Sequence, residues 1–188
     1  LQLWEGLSQE LNYNVMFSQR GVMNLGHTLQ DMRDIVRRSS ANRLNGIDSE
    51  VLTPMDIKRR VPAIDVGPSA RYPILGASFQ PRGGVARHDA VAWGFARAAD
   101  QLGVDIIQNC EVTGIRQVDG AVTALETSRG PIRTAKVGVV AAGHSSVMAA
   151  MAGLRLPIES HPLQALVSEP LKPVLDTVIM SNAVHGYI

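Results

Sequence analysis

The stretch from His88 to Met151 constrains the fold more than any other part of the sequence. Asp89 is placed to cap a helix whose small and apolar face (Val91, Ala92, Phe95, Ala96, Ala99, Leu102) recurs at helical spacing until Gly103 stops it. Val104–Ile107 follows at once as a strand. Two alternating segments, Glu111–Val118 and Ala121–Thr127, meet at Asp119-Gly120, a strong signal for a tight hairpin turn. Arg129-Gly130 marks a further turn before a strand at 131–135. The β-branched run 136–141 then leads through Ala142-Gly143 into a small-residue helix, Ser145–Met151. Two apolar strands joined by a meander, with no helix between them, are expected to lie parallel in one sheet with a β crossover.

The preceding residues add helices with legible ends. Thr28 caps one helix, with Asp31 in position for a capping-box contact and Asn45-Gly46 as the stop. Thr53, Pro54 and Asp56 open a short one that ends near Pro62. Val15–Leu25 reads as strand interrupted at Arg20-Gly21, and Leu75–Gln80 as another. Pro157–Val167 and Thr177–Ile188 read as strands that return to the sheet begun by 15–25. The class is α/β with α+β character. The chain starts without Met inside an apolar helical stretch (Leu1, Leu3, Trp4, Leu7, Leu11) and stops in a strand-like run, so it reads as a cut piece of a longer protein.

Composition closes several routes. A formal net charge of +1 excludes strong global attraction to nucleic acid or anionic membrane. Cys110 is the only cysteine, which excludes an internal disulfide framework and a thiolate zinc site. No apolar run approaches the roughly 20 residues of a membrane span, and cytoplasm is the default location. Neither G-x-G-x-x-G nor a P-loop occurs. Gly143-His144-Ser145-Ser146-Val147 approaches a nucleophile elbow, but Val147 replaces the closing glycine. That turn reads either as a plain strand–helix turn or as backbone N–H groups facing a phosphate or flavin.

The five histidines (27, 88, 144, 161 and 185) show no metal-like spacing. His88 stands apart by context. It follows Arg82-Gly83-Gly84-Val85-Ala86-Arg87, a glycine pair between two arginines, and precedes a helix start. Backbone can approach a ligand there, and cations with a helix N-terminus favour an anion.

The run Pro81–Trp93 (PRGGVARHDAVAW), the run Gly103–Gly114 (GVDIIQNCEVTG), Phe17–Val22 (FSQRGV) and His161–Glu169 (HPLQALVSE) together resemble the β subunits of heterotetrameric sarcosine oxidases, in the glycine and D-amino-acid oxidase superfamily of flavoproteins. The resemblance covers essentially the whole chain. It implies a fragment of a two-domain FAD-dependent oxidoreductase. Residues 1–87 and 155–188 fall in a mixed-sheet substrate domain; 88–154 are the return segment of a dinucleotide-binding domain with a β-meander crossover. It implies non-covalent FAD as the oxidant of sarcosine and a covalent FMN that passes electrons to oxygen, giving hydrogen peroxide. It places the covalent FMN on His88 with Arg87 beside it, Val112 against FAD, and Ala142 and Gly143 at a second FAD contact. Arg82 and Arg87 either keep the imidazole neutral or take the FMN phosphate. Implied partners are the α, γ and δ subunits, with tetrahydrofolate serving the complex. No residue is assigned to catalysis, and the fragment alone is expected to carry neither flavin. Two rivals stay open: a related amine or amino-acid oxidase without a second flavin, and a non-catalytic module that packs on partner subunits.

Overall fold

A computed structural model describes residues 2–188; Leu1, counted above in the first helix, lies outside them. The chain is mixed α/β and divides into two compact units, Leu1–Val104 with Glu169–Ile188, and Asp105–Ser168.

In the first unit, β2 (Val22–Gly26) lies antiparallel to β4 (Gly76–Gln80), which pairs in turn with β3 (Glu50–Leu52). On its other side β2 runs parallel to β9 (Val178–Ser181), which pairs with β10 (Gly186–Tyr187) to complete a five-stranded mixed sheet. Residues 177–188 thus do return to the early sheet. The expected interruption at Arg20-Gly21 is also present: it separates β1 (Ser18–Gln19) from β2, with Gly21 at φ +80°. Met23, Leu25, Leu52, Ala77, Phe79 and Ile179 bury one core with Ile57 and Val61 from α3 (Pro54–Arg60) and its C-cap.

The capping box expected at Thr28 closes, and Thr53, expected as a cap, forms a second one. Thr28 accepts from the Asp31 amide at the start of α2 (Leu29–Leu44), and Thr53 does the same with Asp56 at α3; each carboxylate returns to its cap amide. Hydrogen bonds from the Thr53 hydroxyl and amide, then from Arg59, hold the Asp56 carboxyl at about 2, below its ordinary 3.8. The folded value is the lower one, so the contact's stabilisation is complete above pH 3.8 and is lost as pH falls through 2. Asp56→Asn should therefore lower the neutral plateau of a denaturation-midpoint profile and flatten its fall between pH 4 and 2, so that variant and wild type converge at the acid end.

A second cluster joins α1 (Gln2–Glu10) to α4 (His88–Gln101). Leu7, Leu11 and Val15 are buried against Tyr13, Phe17, Val91 and Ala98. α4 begins two residues earlier than expected, with Arg87 as its N-cap and no side-chain cap bond. Asp89 is inside the first turn, where it accepts from the Ala90 amide, so it does not cap the helix.

The second unit is a three-stranded antiparallel sheet, β6 (Val112–Val118), β7 (Ala121–Thr127) and β8 (Ile132–Arg133), followed by a 3₁₀ turn at Ala142–His144 and α5 (Ser145–Met151). Asp119 and Gly120 both take positive φ, 52° and 78°, as a two-residue hairpin turn with strand-matched twist requires. Three expected strands do not form. Residues 104–107, 136–141 and 157–167 pair with no strand among the described residues, and Ile106, Ile107 and Val140 are exposed. An apolar run becomes a strand only where a neighbour accepts its backbone hydrogen bonds, and these runs have none.

Candidate functional site

The loop before α4 is held by local pairing and by one distant carboxylate. β5 (Gly84–Val85) lies antiparallel to β1, with Gly84 opposite Gln19. The Gly21 amide donates to the Gly83 carbonyl at 2.9 Å. Gly84 leaves no room for a side chain: a Cβ there would stand 2.8 Å from the Ser18 carbonyl carbon and 2.9 Å from the Gln19 Cα.

His88 opens α4 with its imidazole exposed. Arg87 donates to Asp89 through Nε at 3.2 Å and through its terminal nitrogen at 2.9 Å. This pairing, then the Ala90 amide, holds the Asp89 carboxyl below the usual carboxylate range. Arg82 is bound elsewhere. Its Nε donates to Glu5 Oε1 at 2.8 Å and its terminal nitrogen to Oε2. The two arginines that looked like free cations in the sequence each carry a carboxylate partner. Glu5 lies 77 positions from Arg82 and carries no local signal of its role.

Beside this loop is a cleft of about 370 Å³ lined by Trp4, Phe17, Val22, Gly83, Gly84 and Ala86 among others, with the Trp4 and Phe17 rings 5.8 Å apart. Its aromatic lining fits a planar ring, and the start of α4, which has no side-chain cap, favours an anion, while Arg87 is already paired with Asp89. The residues around His88 therefore suit an FMN-like group.

In the second unit Val112 begins β6, an edge strand whose outer backbone has no partner among the described residues. A ligand can take those backbone groups. Ala142 is held at φ +45°, an uncommon conformation for a residue with a Cβ. The Ser160 hydroxyl donates to the Gly143 carbonyl at 2.5 Å and stands 2.8 Å from where a Cβ of residue 143 would be. These residues suit an edge contact to FAD and supply no glycine cradle for its pyrophosphate.

One feature escaped the sequence reading. His27, at the end of β2, turns Nδ1 toward the carbonyls of Tyr72 (3.1 Å) and Pro73 (3.2 Å) and meets the Ser181 hydroxyl at Nε2, 2.9 Å away. It borders an apolar cavity of about 580 Å³ floored by Leu25, Ile64, Leu175 and Ile179. No local pattern marks a histidine whose partners lie 45 and 154 positions away. No group of three or more metal-ligating side chains occurs among the described residues, and no helix there is long and apolar enough to cross a membrane.

The family model for FAD dependent oxidoreductases matches residues 1–188. The chain belongs to that family. It is 56% identical to a sarcosine oxidase subunit beta from Arthrobacter sp., across all of this chain and 46% of that protein. It is 55% identical to the protein of the same name from Rhizobium meliloti, again over the full chain and 45% of the relative. The chain thus spans under half the length of these curated relatives. Among solved structures, L-proline dehydrogenase from P. horikoshii superposes with a TM-score of 0.78 at 21% identity, covering 99% of this chain and 49% of that one. That likeness extends to the fold alone, the mixed α/β architecture of an FAD-dependent oxidoreductase.

Proposed function

We propose that the chain is part of a sarcosine oxidase-type β subunit that oxidatively demethylates sarcosine to glycine. The observation that carries this is 56% identity over all 188 residues to a protein of that name. In this reading a non-covalent FAD would supply the oxidising chemistry for the amine, and His88 would hold a covalent FMN whose chemistry would pass electrons to oxygen, giving hydrogen peroxide. Residues 1–87 and 155–188 belong to the substrate domain, and 88–154 to the return segment of the FAD domain. The chain's own tasks are to present the His88 imidazole at the start of α4, to set Arg87 beside it, and to offer Val112, Ala142 and Gly143 to FAD. The α, γ and δ subunits complete the assembly.

Support for a second flavin comes from an aromatic cleft whose lining reaches Ala86, two residues before the exposed His88 at a helix start without a side-chain cap. The test is flavin stoichiometry in the full-length subunit assembled with its partners. Two flavins per assembly are expected, one released by acid as FAD and one retained on the polypeptide. A single acid-released flavin would favour an amine oxidase without FMN.

A further inference from the structure

We propose that Glu5 is a positioning residue for flavin attachment, fixing the loop Pro81–Arg87 through Arg82 and so placing His88. This rests on the assignment of FMN to His88 above. Three side chains form the fixture. Glu5 accepts from Arg82 with both carboxylate oxygens, and its Oε1 also accepts from Gln19 Nε2 at 2.7 Å. The same Gln19 nitrogen donates to the Arg82 carbonyl at 2.9 Å. Arg82 is thus held by its side chain and by its backbone, from α1 on one side and β1 on the other. The hydrogen bonds from Arg82, then Gln19, hold the Glu5 carboxyl below the usual range, so it is ionised at neutral pH.

The geometry makes α1 a common support. Its Glu5 grips the loop, and its Leu7, with Leu11 just past its end, packs in the cluster that includes Val91 and Ala98 of α4. His88 is the joint between those two supported parts. The loop has six residues from Arg82 to Arg87; its other ties are the β1–β5 pairing, the Gly21–Gly83 and Gly83–Gln80 backbone bonds near its start, and the Val91–Arg87 bond and the Arg87–Asp89 pair at its end. Arg82 and Glu5 are partly exposed, so their pairing adds little to stability. Its consequence is placement. In the attachment, a ring nitrogen of His88 replaces one hydrogen on the flavin 8α carbon. The imidazole proton, that hydrogen and the two electrons go to molecular oxygen as hydrogen peroxide. Bond formation of this kind is sensitive to position, about 100-fold for a 1 Å error.

The experiment follows covalent flavin formation in the full-length subunit with its partner subunits, comparing wild type with Glu5→Gln, Arg82→Lys and the exchanged pair Glu5→Arg/Arg82→Glu. Acid-precipitated flavin reports attachment, and FAD in the acid supernatant reports the rest of the fold. Glu5→Gln is expected to slow attachment roughly 10-fold or more with FAD unchanged. Arg82→Lys, which keeps the charge but loses the two-point contact, should slow it less, and the exchanged pair should recover part of the rate. Attachment at the wild-type rate in Glu5→Gln overturns the proposal. So does a parallel loss of FAD and covalent flavin, since the pair would then act on folding. His88→Ala separates this from the underlying assignment: covalent flavin surviving there means that the site, and not the fixture, was misassigned.

Discussion

His88→Ala in the full-length subunit should bring acid-stable flavin fluorescence to background while FAD and the melting temperature hold. The effect is all-or-none because the imidazole nitrogen is one end of the bond, and alanine offers nothing in its place. Little else should change. The side chain is exposed at the first residue of α4, where alanine suits the helix, and surface substitutions of this sort stay within about 0.5 kcal/mol. His27 cannot substitute, since both its ring nitrogens are engaged by Tyr72, Pro73 and Ser181. Retained acid-stable fluorescence in this variant would remove His88 from the mechanism.

Local rules were legible wherever the partner lay within a few residues. The Thr28 and Thr53 caps, the Asn45-Gly46 stop and the Asp119-Gly120 turn all depend on contacts at most four positions apart, and all stand in the fold. The return of β9 to the early sheet was also readable, whereas its parallel pairing with β2 was not, because strand direction depends on a partner more than 150 positions away. Residues 104–107 and 136–141 show the opposite case. Their composition is that of strands buried on both faces, but pairing belongs to two segments at once and no partner is present among the described residues.

The candidate site divides in the same way. His88 stood out by its local string and by the helix signal beside it, and it is the first residue of α4. The state of its neighbours was not legible. Arg82 looked equivalent to Arg87 in the sequence, yet one is gripped by a carboxylate 77 positions upstream and the other by a carboxylate two positions on. Long-range charge pairing leaves no periodicity or spacing to read.

Gly84→Ala is expected to cost about 3 kcal/mol, near the upper end of ordinary overpacking penalties, measured as a shift in the denaturation midpoint. The added Cβ would press on backbone: the Ser18 carbonyl carbon at 2.8 Å and the Gln19 Cα at 2.9 Å. A side chain could rotate away, but a paired strand can relieve this only by separating. Separation of β1 from β5 also strains the Gly21–Gly83 bond and draws Arg82 away from Gln19 and Glu5. Covalent flavin should fall with it, through the loop and not through His88 itself. Gly6→Ala supplies the contrast. That residue lies inside α1 with nothing within 4 Å of a Cβ, so the same added methyl should stabilise by roughly 0.5–1 kcal/mol from helix propensity. Opposite signs for one chemical change, at two glycines on either side of the Glu5–Arg82 pair, would show that it is space at the β1–β5 crossing that requires glycine at 84.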